Sequence, residues 1–284
     1  MTIEKNYNQS QTYQSEAAKD LSFATSRLCL YCTQRFLAYI VVDAKDEVQA
    51  FRLEEISDLH GNEVDIVQNI IRSDTFLQQA NFFDDITIAF SDQSFTLVPN
   101  DFVATENIAE FARQNFQTGN NSLLTEEIKN TGYSIVYASQ NAIVRAFETA
   151  FQHQVNIKNS LASFVAGLLK EWYWNSLTLV ANLEDNLLQL VAIDDKKIRW
   201  MQSYKVTSAA DVFYYIMSVA QSVDFNIKQH PLYLWGDWQT QGEAYALCKK
   251  YFGNIHWGSR PQRYTYSKVL DALPQHAYVN LFLI

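Results

Sequence analysis

A chain of 284 residues that is 48% hydrophobic and 14% aromatic can fill the cores of one large or two ordinary domains. Its formal charge of −9, with no long run of Lys or Arg, argues against nucleic acid or an anionic membrane surface as partner. No apolar run approaches the roughly 20 residues of a membrane span, and the opening "MTIEKNYNQSQTYQSEAAKD" lacks the basic and then apolar order of a signal peptide. The expectation is a cytoplasmic protein that binds no nucleic acid and inserts in no membrane.

Residues 1–21 are polar and aperiodic and read as a disordered tail. Strands follow at about 27–34, 36–43 and 47–54, the last two joined by the turn "DAKDE". In "GNEVDIVQNIIRSDTFLQ", Val64, Val67, Ile70 and Ile71 stand at helical spacing after Asn62, a candidate N-cap. A strand is expected at about 85–91, a break at Pro99, and a helix over "TENIAEFARQNF" capped by Thr105. "GYSIVYAS" reads as a strand, and "QNAIVRAFETAFQH" puts Ile143, Val144, Phe147 and Phe151 on one helical face.

The second half begins the same way. "LTLVANLEDNLLQLVAIDDKKIRWMQSYKV" gives three strands, and "SAADVFYYIMSVAQSV" aligns Phe213, Ile216, Met217 and Ala220 on one face. "PLYLWGD" is a short buried strand, "GEAYALCKKYF" a helix, and "AYVNLFLI" a closing strand. The order repeats at an offset of roughly 150 residues, far beyond the 20 to 50 of solenoid repeats, so the pattern is a duplicated domain. The expected division is a tail at 1–21, a first domain at 22–159 and a second at 160–284.

Residue chemistry excludes several activities. "CLYC" matches C-x-x-C, but Cys29 and Cys32 lie on one strand, where residues i and i+3 point to opposite faces. No second ligand pair accompanies them, since His60, His153, His230, His256 and His276 are scattered singly, so no metal is expected and Cys248 joins the other two as a structural thiol. The pairs Asp84-Asp85 and Asp194-Asp195 suit solvated turns better than a two-metal nuclease, and the polar loop at 119–122 offers no nucleophile turn.

A three-stranded antiparallel ribbon running into alternating helices and strands, made twice in one chain, resembles the actin-like ATPase (ribonuclease H-like) fold. The stretch "NIKNSLASFVAGLLKEWYWNSLTLVANLED" is similar to that superfamily's Ala-rich helix leading into the strand of the second phosphate loop, and "SFTLVPNDF" resembles variants from pilus assembly and type II secretion. With "ADVFYYIMSVAQSVDFN" and "HPLYLWGD", the chain looks like a Bacteroidota family of unknown function that is actin-like in fold. The resemblance implies a duplicated α/β architecture, each mixed sheet starting with an antiparallel meander and flanked by helices, around a nucleotide cleft.

In a working member each ribbon's first turn carries Asp-x-Gly: the acid holds hydrated magnesium and the glycine lets backbone amides close on phosphate. Here "LYCTQRF" offers neither, and Asn182-Leu183-Glu184 replaces the second copy, placing a carboxylate where phosphate charge should arrive. Two such charges at roughly 4 Å repel by about 1 to 4 kcal/mol. The adenosine-side loop has the single Gly236 where relatives carry a glycine pair. The resemblance therefore implies a non-catalytic binding or scaffold protein, a pseudo-ATPase without cofactor; the alternative is a divergent ATPase or sugar-kinase-like phosphotransferase. The tryptophans Trp235, Trp238 and Trp172 either pack in the core or line a cleft or patch; in the second reading Glu184, Asp185 and Asp237 floor a groove beside Trp235 and Trp238, suited to a basic or amphipathic segment of a protein partner.

Overall fold

The computed structural model describes residues 11–56, 63–91, 94–103, 108–117, 122–139, 141–152 and 155–284. The backbone divides into two compact units. The N-terminal unit runs to Ala166 and includes Gln262–Ala272 and Asn280–Ile284, whereas the C-terminal unit comprises Gly167–Pro261 and Leu273–Val279.

The first strands are β1 (Gln11–Gln14), β2 (Arg27–Cys32), β3 (Phe36–Val42) and β4 (Glu47–Glu55), followed by helices α1 (Glu63–Ser73) and α2 (Thr75–Gln78) and strands β5 (Asp85–Phe90) and β6 (Phe95–Pro99). Next come α3 (Asn100–Val103), α4 (Ile108–Asn115), β7 (Leu123–Ile128), β8 (Tyr133–Ala138), α5 (Asn141–Ala150), β9 (Asn156–Asn159) and α6 (Ser160–Glu171). The remainder holds β10 (Thr178–Glu184), β11 (Leu187–Asp194), β12 (Lys197–Lys205), α7 (Ala209–Ser222), β13 (Leu232–Gly236), α8 (Glu243–Tyr251), β14 (Ile255–Trp257), β15 (Thr265–Tyr266) and α9 (Val279–Phe282).

In the N-terminal unit the strand order is β1-β4-β3-β2-β5-β9, with β15 also on β4. The ribbon β2-β3-β4 is antiparallel, while β5 and β9 add in parallel. Every residue of β3 is buried, as a central strand covered on both faces requires. The "DAKDE" turn closes because the Asp43 carboxylate accepts from the Lys45 and Glu47 amides at 2.8 and 3.0 Å, and Asp46 takes φ +58°. Val67, Ile70 and Ile71 of α1 and Ile143, Val144 and Phe147 of α5 enter one core with the sheet.

The C-terminal sheet runs β12-β11-β10-β13-β14, again an antiparallel ribbon extended by two parallel strands. Counted from the first ribbon strand, and with β1 and β15 left out, third, second, first, fourth, fifth is the order in both sheets. Asp195 and Lys196, at φ +47° and +62°, form the two-residue turn between β11 and β12. Helix α7 starts with a capping box made by Ser208 and Asp211. Its fully buried stripe is Val212, Ile216, Val219 and Ala220; Phe213 and Met217, expected at its centre, pack at the margin.

Several expectations are corrected. Gln11–Gln14, expected in a disordered tail, pair antiparallel with β4, and Ser15 caps the short helical turn that follows; residues 1–10 lie outside the described residues. Phe95–Pro99, where only a break at Pro99 was expected, is an edge strand, and with β8 and the unforeseen β7 it makes a separate sheet ordered β6-β8-β7. Pro99 is tolerated because it ends that edge strand. The parallel strand β9 is a further unforeseen element, and "AYVNLFLI" ends in the short helix α9 instead of a strand. The residues after 261, expected in a second domain of 160–284, mostly complete the N-terminal unit. Asn62, Thr105, His60, His153 and 119–121 lie outside the described residues.

Candidate functional site

The first ribbon turn, between β2 and β3, is closed by its own side chain. The Thr33 hydroxyl accepts from the Arg35 amide at 3.1 Å and the Phe36 amide at 3.0 Å, and Thr33 is itself buried. Arg35 reaches across to Glu55 at 3.2 Å. The amides of this turn are therefore directed at a neutral internal acceptor.

The second turn, between β10 and β11, is clasped to the loop after β13. Asp185 sits at φ +58° and its amide donates to the Asp237 carboxylate at 3.3 Å. The Asp237 amide returns to the Leu183 carbonyl at 2.6 Å. Gly236 is at φ +89°, and a Cβ there would lie 2.1 Å from the Leu183 carbonyl oxygen, so only glycine permits this approach. Its amide donates to the His276 carbonyl at 2.6 Å, and its carbonyl lies 2.9 Å from His276 Nδ1, which makes that nitrogen the protonated one. Burial lowers the His276 pKa and favours the neutral ring.

Asn182 is fully buried and donates through Nδ2 to Gln189 Oε1 at 2.9 Å, its cross-strand neighbour. Glu184 is buried, while Asp185 and Asp237 are half-buried. Of the three tryptophans, Trp235 and Trp238 are interior and Trp172 is half-buried. Trp235 is 0% exposed, with its indole N–H on the Ser259 carbonyl at 3.0 Å, and its ring lies against Gly258, where a Cβ would meet Cε2 at 2.0 Å. Trp238 is 4% exposed, belongs to the C-terminal core and donates to the Ala181 carbonyl at 3.3 Å. Trp172 meets Trp235 edge to face at 5.4 Å. The structure thus gathers Asn182, Glu184, Asp185, Gly236 and Asp237 around one pair of loops, with both tryptophans beneath them as packing.

Cys29, Cys32 and Cys248 are buried free thiols, and burial pushes Cys29 up to about 11 and Cys248 up to about 12. Asp85 accepts from Asn156 and Thr87, as a structural carboxylate does. Among the described residues no three His, Cys, Asp or Glu side chains converge as metal ligands, and no helix is long and apolar enough to cross a membrane.

A cavity of about 570 Å³ between β7, α5 and β9 includes none of the candidate site residues expected from the sequence. Its edge strand "LLTEEI" carries no alternation of apolar and polar residues, so the sequence does not mark it as a strand.

The two sheets define an actin-like ATPase fold. A Bacteroides thetaiotaomicron protein described as having that fold and unknown function aligns with a TM-score of 0.74 at 14% identity, over 83% of this chain and 91% of its own. The PilM-PilN type IV pilus biogenesis complex aligns with a TM-score of 0.62 at 13% identity, over 90% of this chain and 97% of that chain. No curated protein matches. The chain belongs to the family described as "Protein of unknown function (DUF3822)", whose model matches residues 17–255.

Proposed function

We propose that this protein is a non-catalytic binding or scaffold module, an internally duplicated pseudo-ATPase whose two ribbon turns are closed by the chain's own groups instead of a nucleotide. The observation that carries the reading is the Asp237 carboxylate on the Asp185 amide. In a nucleotide-binding relative that amide would meet phosphate, and here an anion of the chain already fills the place. A triphosphate arriving there would meet Asp237 and Glu184 and would need the clasp to open. The internal closure of the first turn by Thr33, and the engagement of the Asn182 amide with Gln189, support the same conclusion. The residues present do not suit magnesium nucleotide. The identical strand order of the two sheets supports duplication. A protein partner accords with the fold's occurrence in the PilM-PilN complex.

The test is thermal unfolding with and without ATP and magnesium. A ligand at 100 times its Kd raises stability by about 2.7 kcal/mol, a readily seen shift in Tm. No shift and no phosphate release are expected; a saturable shift at millimolar ATP would overturn the pseudo-ATPase reading.

A further inference from the structure

The cavity between β7, α5 and β9 lies wholly within the N-terminal unit. Leu124, Tyr137, Val144 and Ile157 give it an apolar floor. Three carboxylates and three cationic side chains also line it, so its charge cancels and selects neither a polyanion nor a polycation. One of the carboxylates, Glu126, accepts from the Asn159 amide at 2.8 Å and pairs with Lys158 at 3.4 Å. Burial raises the Glu126 pKa.

The long side is a strand edge. β7 is outermost in the order β6-β8-β7, and no described strand lies beyond it. The Ser139 amide donates to the Ser122 carbonyl at 2.8 Å. With Leu124 opposite Tyr137 and Glu126 opposite Ile135, that bond fixes which residues of β7 turn their backbone toward β8: Ser122, Leu124, Glu126 and Ile128. The amides and carbonyls of Leu123, Thr125 and Glu127 then point outward, at the two-residue repeat of a strand. Such a row is a template for another extended chain.

We propose that this trough is a docking site for an extended segment of a partner protein, which adds to β7 through the outward backbone groups of Leu123, Thr125 and Glu127 and sets an apolar side chain on the floor of Leu124, Tyr137, Val144 and Ile157. The backbone groups specify an extended peptide and the floor specifies its apolar residue. This site is separate from the loop clasp at Asp185 and Asp237, so its test does not depend on whether nucleotide binds.

The probes are short linear peptides selected from a displayed random library on the immobilised full chain. Two protein variants and one peptide modification then decide. Thr125→Pro removes an outward amide and nothing from the β7–β8 ladder, so the chain should melt as before yet bind the selected peptides about tenfold more weakly or worse. Leu124→Arg should block the floor with a similar loss. N-methylation of a selected peptide should abolish binding at one set of alternate residues and be tolerated at the other, a readout made on the unaltered protein that holds even where a variant fails to fold. Failure to select any peptide, unchanged affinity for both variants, or indifference to N-methylation in both registers would overturn the proposal.

Discussion

Gly236 illustrates how one residue without a side chain fixes a loop. Its φ of +89° is costly for other L-residues, and the 2.1 Å approach to the Leu183 carbonyl leaves no room for a methyl group. Gly132 gives the comparison, since it is at φ +76° but a methyl group added there would have nothing within 4 Å. Gly132→Ala should therefore cost only the backbone strain, about 1 to 2 kcal/mol. Gly236→Ala should cost more, roughly 2 to 4 kcal/mol, because strand β10 must also shift. Urea unfolding of the two variants reads the difference, and equal losses would show that the close approach is not holding the loop. Gly236 stood out in the sequence only as the single glycine of the adenosine-side loop, and the choice between core and cleft for Trp235 and Trp238 was not legible there. An indole has an apolar body and one polar N–H, so it suits a core or a contact surface equally; here the core won because β13 runs between β10 and β14 and carbonyls of Ser259 and Ala181 take both N–H groups.

At the scale of elements, what could be read from the sequence follows how much apolar surface each element buries. The six ribbon strands were visible because they carry long apolar or alternating runs between polar turns. β7 and β9 were not, since they are short and polar and take their place from pairing, β9 against β5 and β7 against β8. Helix α2, only four residues long, is held by a buried acid. Asp74 accepts from the Phe76 and Leu77 amides at 2.8 Å, from the Tyr39 hydroxyl at 2.8 Å and from Arg52 Nη1 at 2.7 Å. That one carboxylate ties α2 to β3 and β4. Asp74→Ala removes the α2 cap, the Tyr39 bond and one of the two carboxylates on Arg52, which keeps Glu54, and should destabilise by about 2 to 3 kcal/mol. Tyr39→Phe removes a single bond and should cost about 1 kcal/mol. Thermal or denaturant unfolding measures both, and near-equal effects would reduce Asp74 to an ordinary helix cap.

The whole molecule departs from the sequence reading in its chain path. Repetition of the ribbon made two units legible, but a linear division cannot show that the chain's end returns to the first. β15 adds to β4 by pairing Thr265 with Glu47 and Tyr266 with Val48. Asn280 donates to the Tyr31 hydroxyl at 3.1 Å, and Arg263 holds the carbonyls of Phe282 and Ile284 at 2.8 and 3.1 Å. Leu281 and Phe282 are both 0% exposed. Burying two such side chains is worth about 3 to 6 kcal/mol, a large share of the roughly 5 to 15 kcal/mol that separates a folded domain from its unfolded chain. A fragment ending at residue 159 lacks these residues together with β15, and leaves the Glu47–Val48 part of the β4 edge and the apolar surface over Tyr31 open to water. It should therefore fail to give a cooperative melting transition, whereas full-length protein should melt cooperatively. Deleting only 280–284 from the full chain should lower the stability of the N-terminal unit by at least about 3 kcal/mol, seen as early loss of amide-exchange protection in β2 and β3. If the fragment melts as sharply as the full chain with native-like exchange protection in those strands, the returning C-terminus is packing on an already self-sufficient domain.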